Sequence, residues 1–167
     1  LHDSHEENDR VKIKLNIIGS INGMPEMATI QLQKETEKFG DIIVKMAEHF
    51  HTIINTTDIK KQQKLFKRIR QYEEMTDELE IVITEYITNL SKEEMTSQTS
   101  LILRNILNIC NDLERIADIY YSLTIVLQKK ADENIYFLAE QREKINELSI
   151  LISQACKIMS QNLAATD

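Results

Sequence analysis

The sequence predicts an all-α fold, and three observations predict it. In 167 residues there are only 3 glycines and 1 proline, too few to punctuate a sheet of many strands. Apolar residues recur at steps of three and four through most of the chain, as in helices packed by one face. The stretches that interrupt this rhythm are short, so successive helices run antiparallel in an up-and-down bundle. At this length folding buries roughly 70% of the unfolded chain's surface, enough for a true core.

Residues 1–24 read as an irregular N-terminal arm or linker. Within it "VKIKLNI" at 11–17 alternates like a short strand, but no second strand follows to pair with it. Gly23 and Pro25 of "NGMPE" end the arm, and Pro25 suits the first turn of a helix. The first helix, about 26–55, carries the stripe Phe39, Ile43, Met46, Phe50, Ile53. "NTTD" at 55–58 then breaks the chain and offers Thr57 or Asp58 as a cap.

The second helix, about 58–91, repeats the spacing through Leu65, Ile69, Tyr72, Thr76, Leu79, Ile83, Tyr86 and Leu90. The third, about 97–128, does so through Ile102, Ile106, Ile109, Leu113, Ile116, Tyr120, Leu123 and Leu127. A fourth, about 131–164, follows "KKADE" with a looser stripe of Leu138, Ile145, Leu148, Ile152, Ala155 and Met159. Residues 25–167 thus read as one bundle, with helices of about 45 Å at 1.5 Å rise per residue.

Composition excludes several functions. A net charge of -7 opposes non-specific binding to nucleic acid, which rewards a clustered basic face. Cys110 and Cys156 form no CxxC spacing, so thiolate metal sites are unsupported and a reducing compartment is implied. No apolar run approaches the ~18 residues of a membrane span, and residues 1–20 lack a signal peptide's apolar centre, so the chain reads as soluble. It begins at Leu1 rather than Met, in "LHDSHEENDR", as expected of a piece of a longer protein. No Gly-rich phosphate loop, nucleophile elbow or Ser/His/Asp signature is present, and the expectation is a protein that is not an enzyme.

Two copies of one spacing carry the candidate chemistry: Glu73 with Asp77, and Glu114 with Asp118. Residues four apart share a helix face, and like charges there repel by a few tenths of a kcal/mol. If the second and third helices form a hairpin, residue n of one faces roughly residue 190 minus n of the other, which brings the pairs level. Four converging carboxylates suit a hard or borderline divalent or trivalent metal such as iron, zinc, manganese or magnesium. The plainer reading is a solvated acidic face paired with Arg115, Arg104 and the cations at 67–70.

Other features compete. Glu48 and His51 form an ExxH pair of the kind that di-metal bundles use twice, but here it occurs once, and His51 lies in the last turn of its helix. The run "KKQQKLFKRIR" at 60–70 lines Lys60, Lys64 and Lys67 along one face, for anionic headgroups, phosphate, an acidic partner, or simply water. Cys110 reads as a small buried filler, and Tyr120 and Tyr121 as core or interface.

Arg104, then "NILNIC", then Asn111, Asp112, Leu113, Glu114, Arg115, Ile116, Ala117 and Asp118 resemble the signature of the PhoU-like family. The resemblance implies a three-helix unit whose acidic ExxxD motifs contribute to metal clusters, and these carry over to Glu73, Asp77, Glu114 and Asp118. Full members hold two units, whereas here the fourth helix supplies only the opening of a second. Ala117 stands where the family has Gly, and "IYYSLT" replaces its usual continuation, which puts metal access in question.

A single unit preceded by "INGMPEMATIQLQKETEKF" is similar to the C-terminal cytoplasmic extension of bacterial sodium/phosphate cotransporters. That implies regulation of phosphate uptake at the cytoplasmic face of the inner membrane, with the transporter's membrane portion as partner. A homodimer through the exposed faces of the first and fourth helices is a further expectation. The alternatives are a ferritin-like carboxylate-bridged metalloenzyme and a helical interaction module without metal.

Overall fold

The computed structural model describes residues 25–165 as four helices: α1 (Pro25–Asn55), α2 (Ile59–Leu90), α3 (Ser97–Asp132) and α4 (Ala139–Ala164). The arm at 1–24, with its strand-like stretch, lies outside the described residues, among which there is no strand. Paired side chains on neighbouring helices fix the up-and-down order. Residues 41, 51 and 55 of α1 meet 160, 149 and 146 of α4 in turn, and Thr36 and Phe50 meet Cys110 and Tyr120 of the parallel α3.

Local chemistry sets the helix ends. Pro25 opens α1, where its missing N–H costs nothing. Of the two candidate caps for α2, Asp58 serves: its Oδ1 accepts from the Lys60 and Lys61 amides at 2.9 and 3.2 Å. Thr96 caps α3 by accepting from the Thr99 amide at 3.1 Å. The boundary expected near residue 130 lies elsewhere, because α3 runs on to Asp132. Lys129 and Lys130 suit its last turn, and Asn134, at φ 54°, then reverses the chain while the Ile135 amide bonds back to the Lys130 carbonyl at 2.9 Å.

The first helix is the centre of the bundle and packs on each of the others; α2 and α3 also pack on each other. Its expected stripe, Phe39, Ile43, Met46, Phe50 and Ile53, is buried throughout. In α2 the seam from Ile69 to Leu90 is buried except for the half-buried Tyr72, and Leu65 is half-buried too.

The stripe of α3 differs from the expected one at alternate steps. Leu103, Ile106, Cys110, Leu113, Ala117, Tyr120 and Thr124 are buried. Ile102, Ile109, Ile116 and Leu127 are only half-buried, and Leu123 is exposed. The physical reason is close approach: Cys110, Ala117 and Thr124 are small enough to sit where backbones converge, and the bulkier neighbours flank the contact. Thr36 Oγ1 of α1 lies 3.7 Å from Cys110 Sγ at one such point.

The fourth helix departs further. Ser149, Cys156 and Ser160 are its buried residues, while Leu138, Leu148, Ile152 and Ala155 of the expected stripe are exposed and Ile145 and Met159 half-buried. Only α1 is a backbone neighbour of α4, and the two approach closely at Gly40, where a Cβ would stand 2.8 Å from Leu163 Cδ1. Hydrogen bonds fasten the contact: Ser160 Oγ donates to Asp41 Oδ1 at 2.7 Å, and Asn55 Nδ2 to Asn146 Oδ1 at 2.7 Å. A helix with one neighbour buries a narrow strip, and here small polar residues fill it.

Candidate metal centre

The α2/α3 hairpin positions the acidic residues. Thr76 and Leu79 of α2 and Leu113 and Ala117 of α3 fill the seam, so the residues one step beyond Thr76 and Ala117, Asp77 and Asp118, come out on its rim. Carboxylate oxygens of Glu73, Asp77 and Asp118 lie within 4.8 Å of one another, and none of the three side chains is buried. Glu114 stands beside them, its carboxylate repelled by those of Asp118, Asp77 and Glu80. Three of the four expected residues therefore share one cluster, and the fourth adds its charge beside it.

The donor set fits a hard cation. Two oxygens on opposite sides of an ion bound at 2.3–2.6 Å stand about 5 Å apart, so the observed spacing needs little adjustment for a calcium-sized ion. Smaller ions such as magnesium, manganese, iron or zinc need the half-exposed side chains to close by rotation. Ala117 does not obstruct the site, because its methyl is buried in the seam while Asp118 beside it faces solvent.

Repulsion marks the cluster. The Glu73 carboxyl is pushed above the usual range by partial burial first, then by Asp77, Asp118 and Glu74, with Arg70 opposing. Burial and then Asp118, Glu80 and Glu74 raise Asp77, and burial and then Asp118 raise Glu114. Arg70, one of the cations expected to neutralise this face, pairs with Glu74 at 3.7 Å.

Glu80 was not among the expected residues. It bears on Asp77 and on Glu114, accepts from Thr84 Oγ1 at 3.3 Å, and helps line an open depression of about 500 Å³ with Asn108, Asn111, Asp112, Glu114 and Arg115. The signal was in the spacing, since Glu73, Asp77 and Glu80 follow at four and three on one face.

The competing features have structural work. Glu48 pairs with Lys157 of α4 at 2.8 Å, and His51 Nδ1 lies 2.8 Å from Ser149 Oγ, so the ExxH pair fastens α4 to α1. His49 stacks on Tyr72 at 5.7 Å, and burial holds its imidazole below the usual pKa. Cys110 and Cys156 are free and buried, and burial pushes the Cys110 thiol up to about 11, as suits an inert filler. Lys60, Lys64 and Lys67 are exposed.

Comparison with known proteins places the site in a family. The PhoU domain matches residues 37–123, more than half the chain, from the middle of α1 to beyond Asp118. No curated protein and no solved structure matches the chain. Among the described residues no helix is long and apolar enough to cross a membrane. The matched segment holds Glu73, Asp77, Glu114 and Asp118 together with the whole α2/α3 seam, and the chain belongs to the PhoU domain family, whose role is regulatory and lies in phosphate homeostasis.

Proposed function

We propose that the bundle is the cytoplasmic regulatory domain of a sodium-dependent phosphate transporter, and that it tunes phosphate uptake through contact with the transporter's membrane portion at the inner membrane. The family match supports the regulatory role, and the sequence around α1 and α3 supports the transporter setting. The single observation that carries a metal-dependent form of this role is the convergence of Glu73, Asp77 and Asp118 within 4.8 Å.

These three residues would hold a divalent or trivalent cation, iron, zinc, manganese or magnesium, with Glu114 adding negative charge beside Asp118. When bound, the cation supplies positive charge that offsets the repulsion along the α2/α3 rim. The chain's own part is to hold two carboxylates from α2 level with one from α3, so that occupancy ties the two helices together. The exposed Leu148, Leu151 and Ile158 of α4 are the surface through which a second copy would pair.

The test is thermal melting and elemental analysis of the wild type and of Asp118→Ala and Glu114→Ala, with each metal in turn. A native-state ligand at 100 times its Kd stabilises by about 2.7 kcal/mol, so the wild type should melt higher with metal and the variants should not, at unchanged helicity. Metal content and melting unaffected by both substitutions would remove the site. Loss of uptake control in cells carrying the same variants tests the regulatory half.

A further inference from the structure

Two of the three connections between helices, residues 56–58 and 133–138, lie at one end of the bundle, because α1 and α3 run one way and α2 and α4 the other. Asn55, the last residue of α1, lines a common depression there with Phe137, Ala139 and Arg142. The first third of α2 starts from this end. Ile59–Arg70 contains Lys60, Lys61, Lys64, Lys67, Arg68 and Arg70 and no acidic residue, in a chain of net charge -7. Lys129, Lys130, Arg142 and Lys144 also lie near this end but are offset by Asp58, Asp132, Glu133, Glu140 and Glu143, with Glu133 and Glu140 pairing Lys129 and Lys144 at 3.9 and 2.9 Å, so the excess of positive charge comes from the α2 stripe.

Large apolar side chains are exposed at the same end. Tyr136 is 74% exposed, Leu138 70% and Ile59 68%. The 133–138 turn is braced from below: Asn134 takes the left-handed conformation, and Lys130 Nζ donates to the Ile135 carbonyl and sits 4.0 Å from the Phe137 ring centroid. Lys130 Nζ also lies 5.7 Å from the Tyr136 ring centroid, so the turn holds Tyr136 in a fixed position while the ring stays in water. The connection at the opposite end, "SKEEMT" at 91–96, carries Glu93 and Glu94 instead.

We propose that this end of the bundle docks on an anionic lipid surface, with Tyr136, Leu138 and Ile59 entering the headgroup region and Lys60, Lys61 and Lys64 meeting lipid phosphates. An exposed tyrosine, with its apolar ring and polar hydroxyl, at the same end as a lysine stripe matches the interfacial belt of a bilayer. Each Lys near an anionic leaflet adds a favourable increment that fades within a Debye length. The inference deepens the regulatory reading by naming the surface on which the domain rests, and it rests on that reading for the supply of a membrane.

Flotation of the full chain with phosphatidylcholine vesicles, with and without about 30% phosphatidylglycerol, tests the proposal. The chain should float with the anionic vesicles, remain behind with the neutral ones, and be released at ~0.5 M NaCl but not by millimolar inorganic phosphate. Tyr136→Ser with Leu138→Ser, and separately Lys60→Glu with Lys61→Glu and Lys64→Glu, should each weaken partition at least about tenfold. Leu101→Ser, at the start of α3 and so at the opposite end of the bundle, should leave it unchanged. All of these sites are exposed, and circular dichroism checks that each variant is folded.

Equal flotation with neutral vesicles, none with anionic ones, release by phosphate, wild-type behaviour of either multiple variant, or an equal loss in Leu101→Ser overturns the proposal. Metal-dependent melting reads a different face. Its loss with flotation intact therefore sinks the metal site alone, and the converse sinks lipid docking alone.

Discussion

Helices α3 and α4 are both amphipathic, yet they use their apolar residues in opposite ways. The third turns Leu103, Ile106, Leu113 and Tyr120 into a core shared with α1 and α2, while α4 meets α1 through Ser149 and Ser160, touches Tyr120 of α3 with Cys156, and leaves Leu148, Leu151 and Ile158 in water. The difference lies in the number of neighbours. A helix between two others must bury a wide face, and hydrophobic transfer then decides which residues go inside. A helix against one neighbour buries a strip, and shape and hydrogen bonding decide.

The comparison breaks most visibly in truncations of leucine. Leu113, 1% exposed, should cost about 2–5 kcal/mol when replaced by Ala, through lost transfer energy and a cavity. Leu151, 62% exposed, should change stability by less than about 0.5 kcal/mol on the same substitution in the isolated chain. Urea denaturation of the two variants measures the contrast, and a comparable loss in Leu151→Ala would mean that α4's outer face is already covered.

A middle-sized effect is expected where α4 approaches α1. In Gly40→Ala the new methyl meets the flexible end of Leu163, so the change should be nearly neutral. Gly40→Val puts branched bulk near the Ser160 backbone, whose Cα would lie 3.6 Å from the new Cβ, and overpacking of this kind costs about 1–3 kcal/mol. Because α4 is fastened only here and through neighbouring polar bonds, hydrogen exchange in Gly40→Val should rise in α4 while α2 and α3 stay protected. Uniform loss of protection across all four helices would show that α4 unfolds together with the rest.

Which parts of this were legible in the sequence follows from the same contrast. The stripe of α1, Phe39 to Ile53, was readable because the most central helix buries its most hydrophobic residues. In α3 a hydrophobicity pattern prefers Ile109 and Ile116 to Cys110 and Ala117, but interhelical distance favours the small ones, and distance is a tertiary quantity. The face of α4 was unreadable for a related reason, since its partner selects Ser149 and Ser160 for fit. The level of Glu73 and Asp77 with Asp118 was readable because hairpin pairing is nearly linear in residue number, whereas Glu80 was passed over by attention to pairs four apart.

The smallest predicted effect concerns the rim of the α2/α3 seam, where charge opposes what packing supports. The ordinary values are 4.5 for Glu73 and Glu114 and 3.8 for Asp77, and all three are raised in the folded chain. Between the ordinary and the raised values the folded protein binds more protons than the unfolded one, so these groups make stability fall as pH rises through that window. In Asp118→Asn one repelling charge is gone from beside each of them. The metal-free variant should be more stable than wild type at neutral pH by a few tenths of a kcal/mol, with a flatter decline as pH rises above about 4. The gain is small because none of these side chains is buried and water screens them. Denaturation curves from about pH 4 upward decide it: a variant less stable than wild type at neutral pH would mean that the Asp118 carboxylate supports the seam rather than straining it by its charge.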